Sequence, residues 1–327
     1  MSSATGLYSV KSSLRRQVIH WQQAASRLSA LDHMASSNAW HGIEQNMGVK
    51  LRTSLVKSVD EVVQQAANLR RILESAEQPD ELRAVKRGVT NLRDNYLKAE
   101  ETIHFYTVAL NSRTTANVSA LLRACDILCE KSMNELLQPL GKQTPDVLTY
   151  IDKGVGASIL KAGLRLWDGN ISPVAAIKVT QHNLFRPTAI IHETGHQVAH
   201  ITGWNEELAA ALDRNLNNHP EVVGRACSKW ASEIAADAFA FVHTGFASVA
   251  ALHDVVSGNP AAVFAYHMHD PHPISYVRVL LGIEMCRQFY GSGEWDQLDQ
   301  SFRNDYDINL VNYPSVGLIS LCVKALP

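Results

Sequence analysis

The chain has 327 residues, 46% of them hydrophobic and 19% charged, with a formal net charge of −2. This length and apolar content read as globular, with enough material for one large core or two ordinary ones. The near-neutral balance excludes the basic footprint of a nucleic-acid binder and the polybasic cluster of a membrane-surface anchor, and leaves small or peptidic partners open.

Residues 1–30 mix charges and glutamines with apolar side chains and carry neither a signal-peptide nor a transit-type pattern. No segment approaches the roughly 20 uninterrupted apolar residues that span a bilayer. A soluble protein in the cytoplasm is expected. Leu55, Val59, Val62, Ala66, Leu69 and Leu73 then share one helical face. Gln78-Pro79-Asp80 breaks the run, and the period resumes at Leu82, Val85, Val89, Leu92, Tyr96, Ala99, Ile103, Tyr106 and Leu110, giving a helical hairpin. A third helix over 117–137 ends before Pro139, so residues 1–145 are expected to form a helical bundle. Its heptads predict an intramolecular core; the alternative is a surface that docks a protein partner.

The five cysteines are odd in number and scattered, which fits reduced core thiols. Cys125 and Cys129 are four apart on a predicted helix but lack two further thiolate or imidazole ligands nearby, so burial is preferred over a zinc-thiolate site. After Thr144 the texture changes. Asp168-Gly169-Asn170 is a turn signal between Ser158–Trp167 and the β-rich Val174–Thr180, predicting a β-hairpin or the end of a small sheet. Pro187 suits the first turn of a helix that runs on through His200.

That helix holds His192-Glu193-Thr194-Gly195-His196, an H-E-x-x-H motif. Residues 192 and 196 lie one turn apart on one face, where both imidazoles can bind one ion, with Glu193 beside it as general base. A third ligand comes from Glu233, which shares a helical face with Asp237 in an otherwise Ala- and Phe-rich, burial-prone segment. Two such carboxylates repel and resist burial unless a cation lies opposite. Glu233 is expected to bind the metal and Asp237 to accept the N–H of a ligand histidine, His192. His272, held between Pro271 and Pro273, is placed to stabilise the oxyanion of a tetrahedral intermediate, with Tyr266 as a second donor. Arg278 is expected to pair with Asp270 or with a carboxylate near the site. A metzincin is excluded because its last motif positions are Ala199 and Thr202 here; His200 is the weaker competitor to Glu233.

The order H-E-x-x-H, then E-x-x-x-D, then H-P with an arginine five residues after that proline resembles the gluzincin zinc metallopeptidases of the CAAX prenyl protease and HtpX-type family, over about residues 187–282. The resemblance implies one zinc ion on His192, His196 and Glu233, Glu193 as base, support from Asp237, transition-state contact from His272, and an edge strand, Val174–Thr180, that binds extended substrate. The fold expected is α+β and mostly helical, an N-terminal bundle followed over 146–327 by a gluzincin-like catalytic domain with a small sheet. The function expected is zinc-dependent hydrolysis of a peptide or protein substrate. The alternatives are a zinc-stabilised, non-catalytic interaction protein and a regulatory protease with one protein substrate.

Overall fold

Apolar residues repeating every three or four positions build the first part of the chain. In order it forms α1 (Ser2–Leu28), the short α2 (Leu31–Met34) and α3 (Ser37–His41), α4 (Gln45–Ser75), α5 (Pro79–Asn111) and α6 (Ala116–Leu137). The computed structural model describes residues 2–326 and is 70% helical with one small sheet, the mostly helical α+β class expected from sequence. Its chain divides into two compact units, Met1–Ala124 with Leu160–Ala175, and Cys125–Ile159 with Ala176–Pro327.

In the first unit, α4 and α5 bury Leu55, Val59, Val62, Ala66, Leu69 and Leu73 with Leu82, Val85, Val89, Leu92 and Ala99. Pro79 opens α5, and the Glu81 carboxylate accepts from the backbone N–H groups of Glu77 and Gln78, capping the orphan donors that the break leaves. The third partner in this core is α1, not the 117–137 helix expected. Leu14, Val18 and Ala25 join the same cluster, and Trp21 meets Tyr96 with ring centroids 5.2 Å apart. Asp168-Gly169-Asn170 makes the predicted turn: Gly169 has φ 87°, and Leu166 donates to Asn170 while Ser172 donates to Leu164, both at 2.8 Å.

The second unit contains β1 (Val147–Ile151), β2 (Ser158–Leu160), β3 (Ala175–Val179), α7 (Thr188–Thr202), α8 (Trp204–Asn215), α9 (Glu221–Lys229), α10 (Ala231–Thr244), α11 (Phe246–Val256), α12 (Pro260–Val263), α13 (Ser275–Tyr290), α14 (Glu294–Asp305) and α15 (Val316–Lys324). The sheet order is β1-β3-β2. This corrects the expectation for Val174–Thr180: β3 is hydrogen-bonded on both sides, so it offers no free edge, and β2 is an edge strand instead. α7 starts directly after Pro187 and stops at Gly203, whose φ of 74° is the left-handed turn that ends helices. The core wraps α13, with Trp230, Phe264, Ile283 and Phe302 buried around it and Tyr276 stacked on Phe302 at 5.4 Å. All five cysteines are free thiols, four of them buried. No helix among the described residues is long and apolar enough to cross a membrane.

Because Leu92 is fully buried where the first unit's three long helices meet, Leu92→Ala should lower unfolding free energy by about 2–5 kcal/mol, read from the urea midpoint with an unchanged m-value.

Candidate metal centre

Two helices supply the site, and their separation is set by one residue. A Cβ at Gly195 of α7 would fall 2.9 Å from both the Ala236 Cα and the Phe239 Cβ of α10. Only glycine permits that approach. Thr194, beside it, is fully buried and satisfies its hydroxyl by donating to the Ile190 carbonyl at 2.6 Å. With the axes this close, one face of α7 carrying His192 and His196 meets one face of α10 carrying Glu233 and Asp237.

Glu233 Oε2 lies 3.4 Å from His192 Nε2, and Glu233 Oε1 lies 3.2 Å from His196 Nε2. Donors about 2.1 Å from a tetrahedral ion stand about 3.4 Å from one another, so these separations suit a single divalent ion. One donor atom from each of the three residues falls within 4.8 Å of the others, the only such group among the described residues. The remaining ring nitrogens are occupied. His196 Nδ1 is 3.2 Å from the Ser232 hydroxyl, and His192 Nδ1 is 2.8 Å from Asp237 Oδ1, a close ion-pair contact although its angle falls short of a hydrogen bond. Both Nε2 atoms are therefore turned toward Glu233, the tautomer and ring orientation that a metal requires. A His-His-Glu group of this shape can hold a metal ion.

Arg278, only 9% exposed, enters from α13. It donates to both oxygens of Asp237, at 2.6 and 2.7 Å, and its Nη2 is 3.2 Å from Glu233 Oε2. Of the two partners expected for Arg278, the site carboxylates are the ones found; Asp270 instead accepts from the His272 backbone N–H and lies 2.6 Å from His272 Nδ1. Burial alone would raise the Asp237 carboxyl, but Arg278 and His192 outweigh it and hold it down to about 2. Burial likewise opposes ionisation of Glu233, and the hydrogen bonds from the two imidazoles together with Arg278 reverse that and keep it far below the usual carboxylate range. For His192, burial disfavours the charged ring, yet Asp237 and Glu233 push it up to about 9. Glu193 differs. Desolvation is its largest influence and raises it, because it lacks a cationic partner of its own.

The cleft over these groups has a volume of about 170 Å³ and is lined by His192, Glu193, Glu233, Asp237, His272 and Arg278. His272 aims Nε2 into it, 3.7 Å from Glu233 Oε1, from a non-helical segment ahead of α13. Tyr266 is not among the lining residues; its ring lies beside Trp230, 6.4 Å between centroids. His200 is exposed one turn beyond the cluster and takes no part in it. Sequence reasoning missed Gly195 as the spacer, Ser232 as the partner of His196, and the wall that α11 contributes. The first two stand next to motif residues, and an alanine-rich facing helix was the available sign that α7 and α10 pack closely. Comparison with protein-family models, curated proteins and solved structures finds no match for this chain.

Gly195→Ala should force the two helices apart, costing about 1–3 kcal/mol of stability and weakening any binding of a divalent metal ion; thermal unfolding with and without added divalent metal reads both. Arg278→Lys keeps a charge but loses the two-pronged grip on Asp237, and should weaken affinity for a divalent metal ion about 10–100-fold in competition with a chromophoric chelator.

Proposed function

We propose that this chain is a zinc-dependent peptidase, its second unit a gluzincin-like catalytic body, and that Glu193 is the general base. One observation carries the proposal: between two imidazoles turned toward a common carboxylate, the same helix places a buried carboxyl, 8% exposed, on the wall of an open cleft. A purely structural metal site has no use for such a group. Zinc, when bound, would polarise a substrate carbonyl and bring the pKa of a coordinated water from 15.7 to about 7. The preference for zinc rests on the donor chemistry, two imidazole nitrogens and one carboxylate oxygen.

The protein's own groups divide the remaining work. Glu193 takes the proton of the attacking water and returns it to the leaving amine nitrogen, and its raised affinity for a proton, caused by burial, suits both steps. Glu233 remains ionised and fixes both imidazoles. Asp237 and Ser232 hold the far nitrogens of those rings, and Arg278 holds Asp237. His272 is half-exposed over the cleft with Asp270 on Nδ1, and its Nε2 faces the space where a substrate carbonyl oxygen would gain negative charge. Gly156 and Ala157 line the cleft and lead directly into β2, whose edge can pair with the backbone of an extended peptide. Five free thiols suit a reducing compartment such as the cytoplasm.

Glu193→Gln should leave zinc content at one ion per chain while abolishing cleavage of a diverse peptide library, read by mass spectrometry beside the zinc-loaded wild type. Equal cleavage by both proteins would sink the proposal; cleavage by neither, with zinc retained, would favour the non-catalytic metal scaffold.

A further inference from the structure

The cleft has a second wall that the chemistry above does not use. α11 turns Ser248, Ala251, Leu252 and Val255 toward it, residues at i, i+3, i+4 and i+7 that share one helical face, with Val256 and Ala240 beside them. The ionisable groups of α11 are engaged elsewhere: Asp254 pairs with Arg186 at 2.8 Å, and His253 packs edge-on to Phe302 at 5.4 Å. On the opposite wall the Asp237 and Arg278 charges are spent on each other, and Arg278 Nη2 also reaches Glu233. A charged substrate side chain laid against α11 would lose its water without meeting a counter-charge on that wall, Glu193 lying across the cleft on α7, whereas an aliphatic one would exchange water for apolar contact.

Behind this wall lies a smaller, mostly apolar space bounded by Phe241, Val249, Leu281 and Met285; Ser248, Leu252, Asp237 and Arg278 border both volumes, and Leu252 is the bulky aliphatic side chain among them. α11 cannot drift to merge them. A Cβ at Gly282 of α13 would come within 3.0 Å of Val249 Cγ1, so the two helices already sit at contact. We infer that α11 is the specificity wall of the cleft, that it selects an uncharged aliphatic residue next to the scissile bond, and that Leu252 sets how large that residue can be. This rests on the peptidase proposal for the word scissile, but the recognition itself can be measured without turnover.

The test uses the full chain loaded with zinc and a series of amino-acid hydroxamates bearing isobutyl, benzyl, aminobutyl or carboxymethyl side chains, with affinities measured by calorimetry. The wild type should bind the isobutyl member at least about tenfold more tightly than either charged member. Leu252→Ala joins the cleft to the space behind it and should shift the benzyl-to-isobutyl affinity ratio upward by about tenfold. Val255→Lys, at the exposed mouth and therefore harmless to folding, should raise the carboxymethyl-to-isobutyl ratio by a similar factor. Charged members binding as well as the isobutyl member, absence of binding by the whole series to zinc-loaded protein, or ratios that neither variant moves would overturn the inference. If the predicted ranking appears but no peptide is cut, the wall stands and the peptidase proposal falls.

Discussion

The closeness of α7 and α10 governs everything else at the site. The four groups that His192, His196, Glu233 and Asp237 bring together stand on two helices, and Gly195 against Ala236 and Phe239 removes the side chain that would hold those helices apart. The composition of α10 serves the same end. Ala235, Ala236 and Ala240 leave room for the facing helix, while Glu233 and Asp237 project from the face that remains. The residues that set the distance stand next to those that use it, Gly195 beside His196 and Ala236 beside Asp237.

Proximity brings an electrostatic problem. Glu193, Glu233 and Asp237 place three carboxyl groups in one poorly solvated region, and Arg278 is the single permanent cation among them. With neutral imidazoles, three negative charges against one positive leave two uncompensated, the charge that one divalent ion supplies. Against the effect of burial, Asp237 and Glu233 push His192 up to about 9, while desolvation raises Glu193. The neighbouring carboxyls respond in opposite directions because their partners differ. Glu233 and Asp237 have imidazole and guanidinium donors in contact, whereas Glu193 meets mainly the cost of desolvation.

Local periodicity and motif spacing were legible in the sequence; the arrangement of elements was not. The buried faces of α4 and α5 fall on the residues that the 3-4 spacing singled out, since a helix core is fixed by its own repeat. The pairing of His192 with Asp237 and of both histidines with Glu233 also follows from four-residue spacings on two helices. α1 was overlooked although Leu14, Val18 and Ala25 carry the same period, because its polar surround dilutes the signal. The middle position of β3 was beyond reach, since strand order depends on long-range pairing that five apolar residues do not encode. Tyr266 looked like a site residue from its distance along the chain to His272, yet the intervening loop carries its ring toward Trp230.

The two walls of the cleft are constrained to different degrees. Apart from Glu193, the polar groups on the α7–α10 side form a chain, His196 with Ser232, His192 with Asp237 and Asp237 with Arg278, so that displacing one disturbs the next. The α11 side is anchored chiefly from behind, through the tight seat of Val249 on Gly282, and its cleft-facing side chains neither hydrogen-bond nor ion-pair with His192, His196 or Glu233. Substitutions on that face can therefore alter shape and polarity while leaving the ligand geometry in place. A polar wall held by hydrogen bonds and ion pairs thus faces an apolar wall held by packing, and under the peptidase proposal the first would carry the chemistry and the second the choice of substrate.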